Sequence, residues 1–267
     1  MKYKALFLDI DDTLIGHDKQ ISDGNLAAIR RAQNAGIFVT IATGRGYKGA
    51  SSIWKKLEIQ GPVIVYGGAS IMNTITDESM FMGSIDPKLI REVLNCSKEW
   101  GLPAQLYQGD TVIFEKESEF SVRYTSFLNL PFQVDPMIRE KDWYDVPKVL
   151  VYAEPGEQEA EMVRRYSARF ADRMEVASSK PGYIELNRFG VNKGTAVLHT
   201  ADLIGILPAE TVAVGDNTLD YQMIQMAGLG VCVENGQQVI KDIADVIAPA
   251  CDEDGVAWVI DNIMLAE

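Results

Sequence analysis

The sequence predicts an α/β protein: a parallel β-sheet flanked by helices, with an α+β module inserted into it. Three observations lead there. Short apolar runs alternate with helix-like segments at both ends of the chain. Two of those runs end in acidic residues, at the sheet edge where open α/β folds bind ligands. Between them, roughly residues 84–183, the texture shifts to closely spaced strand-like pairs mixed with helices.

Residues 4–10 (KALFLDI) form a near-continuous apolar run, as a strand buried on both faces requires. Residues 22–36 read as a helix that Ser22 or Asp23 can cap, with Leu26, Ile29 and Gln33 on one side and Gly36 as the stop. A second strand at 37–42, a helix at 46–58 and a third strand at 62–66, opened by Pro62, complete a βαβαβ unit with a Rossmann-like parallel sheet. The rhythm resumes with a helix at 191–205, a strand at 211–216, a helix at 217–228, a strand at 229–233 and a last helix at 253–264. The intervening stretch reads as helix 86–100, strands 103–107 and 111–116, helix 117–128, strand 147–153, helix 156–170 and a strand near 173–178. The expected division is a core of residues 1–83 and 184–267 and a cap of residues 84–183, with hinges near 83–85 and at 181–184, where Pro181 and Gly182 stand.

The chain has 267 residues and a formal charge of −13, which disfavours nucleic acid and anionic membrane surfaces as partners. Cys96, Cys232 and Cys251 are widely spaced and form no C-x-x-C pair, so reduced, buried thiols in a cytoplasmic protein are expected. With His17 and His199 far apart, a zinc site is not expected. No 18-residue apolar stretch or signal peptide is evident. A homo-oligomer stays open.

The stretch LFLDIDDTL (6–14) loads the end of a core strand with Asp9, Asp11 and Asp12. Strand periodicity puts Asp9 and Asp11 on one side. Two converging ionised carboxylates call for a cation, and Mg2+ commonly takes one or two carboxylates together with phosphate oxygen. A solvated turn is the plainer alternative. Asp216 repeats the pattern at the end of strand 211–215, and Asp220 follows one helical turn later. A cluster this acidic repels phosphate without cationic help, which Lys193 at a helix start can supply. Thr43, after strand 37–42, can donate to a phosphate oxygen, Gly44 lets the backbone approach, and Arg45 can reach substrate or the inserted module. Tyr107, Phe114, Tyr124 and Trp143 can line a pocket but are as readily core. His17 and His199 read as surface or structural residues.

The set Asp9-x-Asp11-x-Thr13, Thr43, Lys193 and Gly215-Asp216…Asp220 resembles, in order and placement, the four motifs of the haloacid dehalogenase-like superfamily. The long insert, YGGA (66–69) before it and DEDGVA (252–257) near the end resemble the Cof-type phosphatase subfamily. The resemblance implies a Mg2+-dependent phosphoric monoester hydrolase that acts on a small phosphorylated metabolite such as a sugar phosphate. Asp9 would be the nucleophile that forms an aspartyl-phosphate, and Asp11 the general acid and then base. Thr13 and Thr43 would hold phosphoryl oxygens, and Lys193 would pair with Asp9 and the phosphate. Mg2+ would be held by Asp9, Asp216 and the backbone carbonyl of Asp11, with Asp220 in support. A phosphomutase using the same intermediate and a noncatalytic metal- or phosphate-binding regulator are the alternatives.

Two positions depart from the family pattern. Leu219 stands where an Asn is usual, with Asn217 nearby, and Gly67 stands where the family often has Asn. Because Asp11 has to start protonated, a raised pKa is expected for it, set by neighbouring acids and partial burial.

Overall fold

The computed structural model describes residues 2–128 and 130–266. The chain begins with β1 (Ala5–Leu8), α1 (Asp23–Asn34), β2 (Phe38–Ile41), α2 (Tyr47–Lys56) and β3 (Pro62–Val65). It continues through β4 (Ser70–Asn73), β5 (Ser79–Met82), α3 (Pro87–Glu99), β6 (Ala104–Gln108), β7 (Thr111–Phe114), α4 (Glu119–Leu128) and β8 (Phe132–Val134). Next come β9 (Lys148–Tyr152), α5 (Glu157–Phe170), β10 (Met174–Lys180), β11 (Tyr183–Arg188) and α6 (Lys193–Leu203). The chain closes with β12 (Thr211–Gly215), α7 (Tyr221–Met226), β13 (Leu229–Val233), α8 (Gln238–Lys241), β14 (Val246–Ala248) and α9 (Gly255–Val259).

The central sheet runs β14-β13-β12-β1-β2, with every neighbour parallel. Its unbroken apolar strands feed a core on each face. Leu6 and Leu8 of β1 pack with Val39, Ile41, Val212 and Val214 on one side. Ala5 and Phe7 pack with Ala213, Cys232 and Val197 on the other. This two-faced burial explains why β1 lacks a polar alternation. The α1 helix covers one face with Ala28, Ile29 and Ala32, and its Ser22 cap accepts from the Asn25 amide at 3.0 Å.

The second sheet, β10-β11-β9-β6-β7-β8, has its own core, in which Ile90, Leu106, Val149, Tyr166, Phe170 and Leu186 are buried. All three cysteines are free and buried. Among the described residues no helix is long and apolar enough to cross a membrane.

Several expectations change. The strand at 62–66 lies beside β2 through a single parallel Ala42–Ile64 bridge and a Thr40 hydroxyl bond to the Pro62 carbonyl at 2.6 Å, and it pairs antiparallel with β4. The cause is a tight reversal in which Tyr66, Gly67 and Gly68 all take positive φ (54°, 65° and 97°). The helix expected at 217–228 is a 3₁₀ turn at Thr218–Asp220 followed by α7. The last helix is broken into α9 and a π turn at Ile260–Met264, after Asp254 at φ 57°. Strands β4, β5, β8 and β14, of three or four residues each, were not anticipated.

Pro181 and Gly182, expected near a hinge, lie within the second sheet. They form the turn between β10 and β11, pinned by Gly182 N–H to Glu159 Oε2 at 2.9 Å and by Ala153 N–H to the Gly182 carbonyl at 3.0 Å. The second sheet continues to Arg188, so a division after residue 183 falls at the first residue of β11.

The reversal at 66–68 also seats α6. A Cβ on Gly68 would lie 2.2 Å from the Asn192 carbonyl oxygen and 2.8 Å from the Lys193 amide nitrogen. Only a glycine lets these backbones meet, and its positive φ adds to the demand. Gly68→Ala is therefore expected to lower the unfolding free energy by about 2 kcal/mol or more. Urea unfolding followed by circular dichroism checks this, and an unchanged midpoint contradicts the packing argument.

Candidate active site

The site lies beyond the carboxyl ends of β1, β2 and β12. Asp9 directly follows β1 and still donates its N–H to the Val214 carbonyl at 3.0 Å, which fixes its backbone against β12. Asp216 directly follows β12, so the two acids stand side by side. Lys193 opens α6, whose start is set by a reciprocal cap. The Asn192 side chain accepts from the Thr195 N–H at 3.0 Å, and the Thr195 hydroxyl accepts from the Asn192 N–H at 3.2 Å.

Lys193 is wholly buried, and its Nζ lies 2.5 Å from Asp9 Oδ1 and 2.5 Å from Asp220 Oδ1. Burial disfavours its ammonium form, but Asp220 and Asp9 outweigh that and raise its pKa. The other Asp220 oxygen, Oδ2, accepts from the Asp216 and Asn217 N–H groups at 3.0 and 3.2 Å. Asp216 Oδ1 accepts from the Thr13 hydroxyl at 3.0 Å and from Asn217 Nδ2 at 3.2 Å. Thr13, expected to hold phosphate, thus points its hydroxyl at an acid.

Burial pushes Asp9 up, Lys193 pulls it back, and Asp220 and Asp11 push it up again, to about 7. Burial, then Asp220 and Asp9, raise Asp216 to about 9. These acids crowd more negative charge than Lys193 alone balances. Carboxylate oxygens of Asp9, Asp216 and Asp220 lie within 4.8 Å of one another, and among the described residues Asp9 Oδ2 accepts no hydrogen bond. The donor set suits a hard divalent cation. Asp220 is the less apt ligand, because both its oxygens are engaged.

Asp11 departs from expectation. Its carboxylate turns away from this trio and receives Arg45 in a fork, Nε to Oδ2 and a terminal nitrogen to Oδ1, both 2.8 Å. Lys180, from the end of β10, adds Nζ to Oδ1 at 2.9 Å. Burial raises the Asp11 pKa, but Arg45 and Lys180 outweigh it and hold the group well below the usual carboxylate range. The raised pKa expected from neighbouring acids is not found, because two cations reach Asp11 first. Its side chain is accordingly no part of the cluster of Asp9, Asp216 and Asp220 carboxylates.

Thr43 is buried, and its hydroxyl accepts the Arg45 N–H at 3.2 Å within a turn held by Gly67 N–H to the Thr43 carbonyl at 2.9 Å. The second sheet reaches down onto this turn. Lys148 Nζ donates to the Gly44 carbonyl at 2.7 Å and pairs with Glu185 at 2.9 Å, and Asn187 Nδ2 donates to the Tyr66 carbonyl at 2.9 Å. A cavity of about 470 Å³ lies between, lined by Asp9, Asp11, Thr43, Arg45 and Asn217 from below and by Tyr124, Lys148, Lys180, Tyr183 and Glu185 from above. Leu219 gives it an apolar wall where an Asn was the family expectation.

The structure therefore brings together Asp9, Asp11, Thr13, Thr43, Gly44, Arg45, Lys193, Asp216, Asn217 and Asp220. Sequence reasoning missed Lys148, Lys180 and Glu185, which sit in unremarkable strands and carry no local spacing signal. Of the four aromatics singled out, only Tyr124 lines this cavity. His17 is exposed and pairs with Asp252, while His199 packs edge-on against Phe81.

Fold and site together define a hydrolase with an aspartate-rich centre at the edge of a parallel sheet. The chain matches the haloacid dehalogenase-like hydrolase family over residues 6–260, and it belongs to that family. It is 28% identical over 257 residues to 5-amino-6-(5-phospho-D-ribitylamino)uracil phosphatase YitU of Bacillus subtilis (strain 168), covering 94% of this chain and 93% of that protein. It is 30% identical over 271 residues to a protein of Arabidopsis thaliana named chloroplastic endoribonuclease YBEY, covering 96% of this chain but only 46% of that protein. A solved haloacid dehalogenase-like hydrolase from B. subtilis superposes with a TM-score of 0.86 at 26% identity, covering 97% of this chain and 99% of the other.

Removing the buried ammonium leaves Asp9 and Asp220 without their counter-charge. Lys193→Met is expected to lower the unfolding free energy by about 3–5 kcal/mol, measured by urea unfolding at neutral pH in the presence of a chelator. A loss under about 1 kcal/mol would show that the carboxylates do not depend on it.

Proposed function

We propose that the protein is a Mg2+-dependent phosphatase of small phosphorylated metabolites, such as sugar phosphates, working through an aspartyl-phosphate. The observation that carries this reading is Asp9. One of its oxygens is held by Lys193, and the other accepts nothing among the described residues and belongs to a side chain that lines the cavity. That is how a carboxylate nucleophile is presented.

In the first step Asp9 Oδ2 attacks phosphorus, the P–O bond to the leaving group breaks, and Asp11 gives a proton to the departing oxygen. In the second, Asp11 takes a proton from water as the water oxygen attacks phosphorus, and Asp9 is released. Lys193 and the Thr43–Gly44 turn balance the charge of the transferring phosphoryl group. Asp9 and Asp216, with the Asp11 backbone carbonyl, would hold the Mg2+, which when bound supplies charge neutralisation between carboxylate and phosphate. Thr13, Asn217 and Asp220 orient the acids. The pairs with Arg45 and Lys180 suit Asp11 to the second step. The first step requires the substrate to draw a cation away so that Asp11 can carry its proton.

The second sheet with α3, α4 and α5 acts as a cap over the strand ends, excluding water from the first step. The B. subtilis relative, named as a phosphatase of a phosphoribityl-bearing compound, supports the substrate class. Purified protein is expected to release inorganic phosphate from a panel of phosphate monoesters with Mg2+ and to stop on chelation. Asp9→Asn is expected to lose about a thousandfold or more in kcat. Undiminished hydrolysis by Asp9→Asn removes the nucleophile, and accumulation of an isomeric phosphate ester instead of free phosphate favours a mutase.

A further inference from the structure

We infer that Glu185 reads the leaving group: its second carboxylate oxygen accepts a hydrogen bond from a hydroxyl of a polyol or sugar phosphate, a reading that rests on the phosphatase function proposed above. Glu185 and Lys148 form a buried ion pair, 4% and 3% exposed, through Glu185 Oε1 at 2.9 Å. Lys148 also donates to the Gly44 carbonyl at 2.7 Å and stands 4.9 Å from the Tyr107 ring centroid. The pair is thus fixed in place. Yet Glu185 Oε2 accepts nothing among the described residues. A buried acceptor left so costs about 1–3 kcal/mol, a cost that a ligand donor would offset.

Its position says which ligand atoms meet it. A Cβ built on Gly44 would lie 3.6 Å from Oε2, and one built on Gly67 would also lie 3.6 Å from it. The oxygen therefore hangs over the turn that follows Thr43. Glu185 lines the same cavity as Asp9 and Asp11. With phosphorus held at Asp9, the leaving group extends toward the cap and passes this carboxylate. Tyr124 and Tyr183, with ring centroids 5.7 Å apart, offer the carbon chain an apolar face. A carboxylate oxygen accepts from hydroxyl, so polyhydroxylated leaving groups fit.

The test compares kcat/KM for two esters of equal chain length, a hexitol monophosphate and n-hexyl phosphate, with p-nitrophenyl phosphate as a third. The wild-type protein is expected to favour the hexitol ester by about tenfold to a hundredfold, the range of one hydrogen bond to a charged group. In Glu185→Gln that ratio is expected to fall at least about tenfold. If Glu185→Gln does not fold, Lys148→Met/Glu185→Gln replaces it, since it strands no buried charge. A ratio near one in the wild type, or equal loss on both esters in the variant, overturns the assignment and leaves Glu185 as a tie between cap and core. Absence of phosphate release from all three esters overturns the phosphatase reading, and this one with it.

Discussion

Taking a lysine ammonium fully out of water costs several kcal/mol, and so does burying each carboxylate beside it. Lys193, Asp9 and Asp220 share that burden by meeting at 2.5 Å, and the rest of the centre follows from the arrangement. Asp220 can hold Lys193 because its other oxygen is tied to the backbone N–H groups of Asp216 and Asn217. The same bonds fix the turn that presents Asp216. The Asn192 cap and the approach of Gly68 fix where α6 begins, and hence where the ammonium lies. Each acid then differs in what is left unpaired among the described residues. Asp220 has no oxygen left, Asp216 has one bound by Thr13 and Asn217, and Asp9 keeps one bare.

Charge is segregated across a few ångströms. Asp9 and Asp216, buried and then crowded by other acids, are pushed to about 7 and about 9, whereas Asp11, two residues from Asp9, is held low by Arg45 and Lys180. Neighbours in sequence therefore sit in opposite electrostatic settings. The difference arises from the chain reversal after Asp9. Asp12 takes a positive φ of 62°, and Asp11 bridges to Ile15, so the Asp11 side chain leaves the strand direction and faces the β2–α2 turn.

The parallel core was legible because its signals are local. Two-faced burial leaves unbroken apolar runs, and ligand sites follow strand ends, so Asp9, Thr43 and Asp216 could be placed from the sequence. Lys193 was readable from its place at a helix start. What was hidden depends on pairing across long separations. Nothing near Pro62 announces that its strand turns back onto β4, and the Pro181-Gly182 dipeptide looks alike in a linker and in a hairpin. The Asp11 environment was misjudged for the same reason: Lys180 is 169 residues away along the chain.

This contrast follows from what each end of the site has to do. The end at Asp9 and Asp216 needs fixed geometry, and short loops at the ends of adjacent parallel strands provide it with residues at set spacings. The other end is built by the second sheet, whose antiparallel strands bring Lys148, Lys180 and Glu185 together from separate turns of the chain. Two of its hydrogen bonds fall on the backbone of the first end, at the Gly44 and Tyr66 carbonyls. Side chains of the cap can therefore change without disturbing the acids, provided the turn beneath stays small enough for them to approach. Gly44 meets that condition, since a Cβ there would come 3.0 Å from Leu219 and 3.2 Å from Glu185. A polar link from the cap that does reach an acid of the site, Lys180 to Asp11, makes the charge state of that acid depend on where the β10–β11 hairpin lies.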